Sequence, residues 1–235
     1  MTDRTYSEDF QYTHDNPYHD RLEKYSEFVL RDKEAEEHTG KWNAEVFKRE
    51  APLYAEIGSG YGHFMTHFCE KNPDINFVGL DYRFKRSFQL AKKLDAHPSN
   101  NFRYLRAKGE RIHYIFAENE LDRIFYFFPD PWPKTRHKKK RLFQDKFLDS
   151  AYRTLKAGGE IYIKTDHDDY ADWMEEVMNK SDLFEVTFAT RDLRKEYPEH
   201  FLASFQTKFE KIFIEKGINI KAYVLKTKKM PNSEV

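Results

Sequence analysis

From Gly40 to Leu225, short runs of apolar, β-branched and aromatic residues alternate with helix-length segments. Residues 53–57, 76–80, 102–106, 121–128, 160–164, 184–188 and 219–225 read as strands. Residues 63–71, 84–96, 142–155 and 170–180 read as helices, with a further candidate over 110–116. This alternation confines the chain to an α/β fold, a largely parallel seven-stranded sheet with right-handed crossovers and helices on both faces. Ligands of such sheets bind beyond the carboxyl ends of the strands, where strand order reverses. The segment Lys156-Ala157-Gly158-Gly159 is expected to end the helix before it, through a left-handed glycine.

Residues 1–38 are polar and aromatic without a sustained period, and read as an extension, flexible or partly helical. They precede one domain over 39–226; residues 227–235 read as a tail. The 235 residues, 39% hydrophobic and 34% charged, describe a soluble globular protein whose 17% aromatic content predicts a core rich in Phe and Tyr. No apolar run approaches the roughly 18 residues of a membrane helix, and the amino terminus has no signal- or transit-peptide character. The lone Cys69 excludes an internal disulfide and fits a reducing, cytoplasmic compartment.

Charge is balanced overall, 40 Lys/Arg against 40 Asp/Glu, but unevenly distributed. Residues 1–50 carry 13 acids and 8 Lys/Arg, whereas residues 132–141 hold six Lys/Arg and no acid. A local basic patch on a neutral protein is either a solvated face or the footprint of a docked polyanion.

Two post-strand segments carry chemistry. In LYAEIGSGYGHF, residues 53–64, a strand runs into Gly58, Gly60 and Gly62 and then a helix. The spacing G-x-G-x-G differs from the dinucleotide fingerprint, and Glu56 ahead of the turn would repel a pyrophosphate. A cationic ligand such as S-adenosylmethionine suits it better. Asp81, about 20 residues beyond the turn, is placed either to accept from ribose hydroxyls or to cap the following helix. In FFPDPWPKTRHKKKRLF, residues 127–143, the aromatic strand ends at Asp130 between two prolines. Each proline restricts the residue before it, so Asp130 and Trp132 are both expected to be extended and the loop stiff.

FPDPWPKTRHKKKRL (128–142) resembles the signature of the bacterial tRNA (guanine-N7-)-methyltransferase family. AEIGSGYGHF, GEIYIKTDHDDY (159–170) and TKFE (207–210) match its other landmarks in order. The resemblance implies a Rossmann-like class I methyltransferase fold and methylation of N7 of guanosine 46 in the tRNA variable loop. It implies that Glu56, Gly58, Gly60, Asp81 and Asp130 meet S-adenosyl-L-methionine, with Asp130 also catalytic. Lys134, Asp166, Thr207, Lys208, Phe209 and Glu210 would meet the substrate, and Arg136, His137, Lys138, Lys139, Lys140 and Arg141 the RNA. Where the family usually places an Asp or Asn against the cofactor's adenine, this chain has Lys108, which cannot accept a hydrogen bond. The backbone around Lys108, or Glu110, would take that contact.

Other readings stay open on the residues alone. KTDHDDY (164–170) suggests a metal, but adjacent side chains diverge and no zinc spacing is present; a helix cap from Asp166 or Asp168 is the simpler expectation, and no metal is expected. Thr207 also suits a helix start, with Phe209 and Phe213 on one face. Trp42 and Trp173 read as core or interface aromatics. A class I methyltransferase acting on an exocyclic amine or on protein would have a shorter proline motif without the basic run. An RNA-binding module that had lost its cofactor would not need Glu56, Asp81 and Asp130 together. No obligatory protein partner is expected.

Overall fold

The structure, a computed structural model, describes residues 4–12 and 16–230. Among the described residues, eight strands form one sheet: β1 (Val29–Arg31), β2 (Leu53–Ile57), β3 (Asn76–Leu80), β4 (Phe102–Arg106), β5 (Leu121–Phe127), β6 (Leu155–Thr165), β7 (Phe184–Thr190) and β8 (Lys221–Thr227). Their spatial order is β1-β4-β3-β2-β5-β6-β8-β7. Every pairing is parallel except those of β8 with β6 and β7. The helices are α1 (Tyr18–Arg21), α2 (His63–Lys71), α3 (Phe84–Leu94), α4 (Ile112–Ile115), α5 (Asp145–Thr154), α6 (Asp168–Lys180), α7 (Leu193–Glu196) and α8 (Lys208–Glu215).

The strand period of two divides the apolar residues between two cores. Ala55, Ile57, Val78, Ile124 and Ile163 face one core, with Phe147 of α5 and Met174 of α6. Tyr54, Phe77, Phe125, Phe127 and Tyr162 face the other, with Phe64 and Phe68 of α2 and Leu90 of α3. This second core is largely aromatic, as the composition foretold: Phe64 lies 4.9 Å from both Phe125 and Phe127 in edge-to-face contact. Gly62, at φ +67°, caps the start of α2, and a Cβ there would meet Leu90 Cδ1 at 2.7 Å. Only glycine lets the glycine turn seat so closely on α3.

The sheet has one strand more than the seven expected. Val29–Arg31, from the polar segment before residue 39, pairs in parallel with β4. Buried Asp32 and Arg106 form an ion pair behind it, and Arg111 binds Glu36 at 2.8 Å. The expected glycine end of α5 is also corrected. The helix stops at Thr154, and Gly158, at φ +74°, lies inside β6. There the register with β5 jumps from Leu121↔Leu155 to Arg123↔Glu160, so the extra residues bulge and the left-handed glycine serves the bulge.

Trp42 is fully buried and donates to Ile115 O at 2.9 Å; Trp173 is partly buried and donates to Phe143 O at 2.7 Å. Among the described residues, no helix is long and apolar enough to cross a membrane.

Candidate active site

Strand order reverses between β2 and β5, and the glycine turn and the proline turn leave those two strands side by side. The open crevice of an α/β sheet lies at this position. Gly58 and Ser59 both donate to Leu80 O at 2.8 Å, hooking the glycine turn over the end of β3. Asp81 ties the same corner from the other side. Its buried carboxylate accepts from Gly60 N–H at 3.1 Å, Arg83 N–H at 2.9 Å and Arg86 at 3.4 Å.

Glu56 is buried on the aromatic face of the sheet, and its Oε2 has no hydrogen-bond partner among the described residues. Burial pushes its carboxyl up to about 8; the charge of Asp81 adds to this, while Ser59 and Lys164 oppose it. A buried carboxyl oxygen left without a partner is costly unless a ligand supplies one.

The proline turn is stiff in a different way from that expected. Phe128 and Trp132, both before prolines, have φ of +50° and +44°, so Trp132 is not extended. Aromatic residues on that side of the map carry a strain of about 1–3 kcal/mol each, tolerated only where the surroundings impose it. Here they do. Phe128 N–H donates to Lys164 O at 2.8 Å. Pro131 O accepts from Arg141 Nε at 2.8 Å. Arg141 is itself buried, paired to Asp169 and stacked 4.8 Å above Tyr170. The expectation that Arg141 meets RNA is therefore corrected: as the one fully enclosed base of the run, it clamps the loop from beneath.

The other basic residues do face outward. Residues 135–140 form a 3-10 turn on which Arg136, Lys139 and Lys140 are exposed, as is Lys134 before it. His137 and Lys138 are half-buried, Lys138 pairing with Asp169 at 2.6 Å and His137 accepting from Arg136 at 3.2 Å. Lys140 lies 4.8 Å over the Trp132 ring.

Two clefts meet at Asp130. One, of about 340 Å3, is lined by Asp81, Tyr82, Lys108, Glu110 and Trp132 among others. The second, also about 340 Å3, is lined by Glu56, Gly60, Phe64, Asp166, Thr207 and Phe209 among others. Gly58, Arg86, Phe128, Pro129 and Asp130 line both. In the first, the Lys108 ammonium lies 4.8 Å from the Phe10 ring and 5.0 Å from that of Tyr82. The lysine is thus held between two aromatic faces.

In the second cleft Asp166 is half-buried, and desolvation raises its pKa. It is not the cap of α6: His167 is the N-cap and accepts from Tyr170 N–H. Thr207 caps α8, accepting from Glu210 N–H at 3.1 Å. Phe209 is 53% exposed beside it. The side chain of Lys208 lies outside the described part of the chain.

Glu210, expected at the substrate, is turned inward and fully buried. Its carboxylate receives Lys164 Nζ at 2.7 Å and Arg194 Nε at 2.9 Å. Lys164 also donates to Leu202 O and Phe205 O, at 3.2 and 2.9 Å. Glu210 therefore anchors the segment that carries Thr207 and Phe209. Sequence reasoning overlooked Lys164, Arg194, Arg83 and Arg86, which are ordinary charged residues until folding sets them beside a carboxylate.

Residues 50–223 match the model of a family described as a putative methyltransferase. A tRNA (guanine-N(7)-)-methyltransferase of Geobacillus sp. is 32% identical over 201 residues, 86% of this chain and 88% of its own. The chain belongs to the tRNA (guanine-N7-)-methyltransferase family. A bifunctional glycosyltransferase/methyltransferase of Fusobacterium nucleatum is 34% identical over 202 residues, and the chain spans 31% of that relative's length. The solved 16S rRNA methyltransferase KamB shares the fold, with a TM-score of 0.58 at 14% identity over 77% of this chain and 89% of that one.

The methyl donor of this methyltransferase is S-adenosyl-L-methionine, and the residues present fit it. The unpartnered Glu56 oxygen suits a cationic group. An added Cβ at Gly58, at φ +83°, meets no atom within 4 Å, so the turn is open to a ligand's close approach.

Proposed function

We propose that this methyltransferase transfers a methyl group from S-adenosyl-L-methionine to N7 of guanosine 46 in the variable loop of tRNA, in the cytoplasm and without an obligatory protein partner. One observation carries the reading: Asp130 stands on the wall common to a cleft lined by Asp81, Lys108 and Glu110 and a cleft that runs from the buried Glu56, with its unpartnered oxygen, to exposed Phe209. The choice of position 46 rests on the resemblance of residues 128–142 to the family signature.

Bound S-adenosyl-L-methionine supplies an electrophilic methyl group on a sulfonium. Glu56 and the glycine turn would hold its amino-acid end, and Asp81 its ribose. Glu110 and the Lys108 backbone line the adenine end, where the Lys108 side chain is already engaged by Phe10 and Tyr82. Guanine N7 carries a free lone pair, so forming the N7–C bond as the S–C bond breaks releases no proton and needs no base. Catalysis then rests on alignment and on charge. The methylated purine is cationic, and Asp130 stabilises that charge as it develops. Asp166 accepts from the N1–H and 2-amino edge of guanine, which adenine does not offer in that pattern. Lys134, Arg136, Lys139 and Lys140 meet phosphates, which position the RNA rather than specify it.

The test is to incubate the protein with labelled S-adenosyl-L-methionine and unmodified tRNA and map the methyl group to its atom and position. Transfer to an exocyclic nitrogen, or tight tRNA binding with no transfer, defeats the reading.

A further inference from the structure

The cleft that would receive the target guanine continues past Phe209. Tyr61, His63 and Phe209 line it and also line a second groove of about 430 Å3, completed by Gln89, Lys93 and Ile212. This groove runs from the start of α8 to the amino end of α2 and the face of α3, and its rings are conspicuously open to solvent. Phe209 is 53% exposed, Tyr61 38% and Ile212 36%. Their display is imposed by the fold. Thr207 caps α8, and buried Glu210 locks its first turn to Lys164 and Arg194, so Phe209 beside them is held outward. Arg86 stands 5.9 Å from the Tyr61 ring, and His63 lies 6.4 Å from it.

We propose that this groove stacks the nucleobase next to the target guanosine of the RNA. The inference rests on the reading of the site above and extends it to a neighbouring subsite. A guanine drawn into the cleft leaves its stack, and its neighbour loses a stacking partner. Single-stranded bases are taken up on aromatic faces with cations along the backbone. The groove offers both, the rings of Tyr61, His63 and Phe209 with Ile212, Lys93 in its wall and Arg86 beside Tyr61, and it is continuous with the cleft through three shared residues. A base has a flat apolar face and needs no specific hydrogen-bond partner in such a groove, so the subsite contributes to binding with little sequence preference.

The test is a cycle between enzyme and substrate. Unmodified tRNA is compared with two tRNAs that lack only the base 5′ or 3′ of the target guanosine. Each is assayed with the native protein and with Tyr61→Ala/Ile212→Ala. Loss of the stacked base on one side is expected to raise the native enzyme's KM about tenfold. The same loss should change the double variant's KM less than twofold, and Tyr61→Phe should restore the native penalty. A thermal unfolding midpoint close to the native one in every variant reports that the fold is intact. If the native enzyme methylates intact tRNA but is indifferent to both base removals, or if the double variant suffers them equally, the subsite is refuted while the function stands. If intact tRNA is not methylated, the function fails and the subsite with it. A groove that seats a second copy of this chain would instead give a concentration-dependent dimer abolished by Ile212→Asp, with no base-removal penalty, which also refutes the proposal.

Discussion

Arg83 Nη2 lies 3.0 Å from Asp130 Oδ2, with both side chains 59% exposed where they line the cleft of Asp81 and Lys108. So exposed a pair contributes at most about 1 kcal/mol. It parks the carboxylate at the cleft without committing it, and a cationic ligand displaces the arginine at little cost. Arg83→Ala should therefore shift the unfolding free energy by no more than about 1 kcal/mol and turnover by less than about tenfold. Asp130→Asn should lower kcat by about 10² to 10³, and Asp130→Ala should abolish measurable turnover. Equal losses in the arginine and aspartate variants would mean that Arg83 shares in the chemistry.

Glu56 makes the ligand-free protein sensitive to pH. Its folded carboxyl titrates near 8, against an ordinary value of 4.5. Between those values the folded state keeps a proton that the unfolded chain has lost, so this group's contribution to stability declines as pH rises through the window and is constant above it. A bound ammonium favours the charged form, so cofactor binding expels the proton and affinity rises from pH 6 to pH 8. Calorimetry in two buffers of different ionisation heat measures that release. Glu56→Gln should abolish both the release and the pH slope of affinity; a slope that persists in the variant rules Glu56 out as the donor's anchor.

The Lys164–Glu210–Arg194 cluster should behave as structure before it behaves as binding. Lys164 and Glu210 are 1% and 0% exposed, and removing one partner leaves an uncompensated buried charge. Glu210→Ala should cost about 3–5 kcal/mol in urea unfolding. A variant of native stability whose only defect is a raised KM for tRNA would return Glu210 to the substrate.

The basic turn should separate into two functions. Replacing Lys134, Arg136, Lys139 and Lys140 with Ser should weaken tRNA binding. For every phosphate that thereby goes unneutralised, the slope of log affinity against log salt should flatten by about 0.7–0.9. Cofactor affinity should hold. Arg141→Ala should do the reverse, leaving the salt slope alone while loosening the proline turn and lowering both stability and kcat.

Continuous apolar runs bounded by turn residues were readable without tertiary knowledge. Strands 53–57, 76–80 and 102–106 and the helix over 63–71 agree with the structure residue for residue. Each such run is long enough for its own period to declare it. The eighth strand was not readable, because Val29–Arg31 has three residues, too few for any period. Pairing with β4 and the ion pair of Asp32 with Arg106, 74 residues away, make it a strand. Strand β8 runs two residues later than expected, its register set by antiparallel partners on both sides.

The same division runs through the site. Local order alone implied an acid before a glycine turn, an acid after the next strand and an acid inside a proline loop, because short-range chemistry places them at strand ends. The fate of a charge was beyond its reach. Arg141 ends a basic run and looks like its neighbours, yet Asp169, Tyr170 and Trp173 enclose it. Glu210 stands in the same motif as exposed Phe209, yet Lys164, 46 residues earlier, draws it inside. Burial and pairing of a charged side chain depend on which distant residues fold against it, and no spacing along the chain records that.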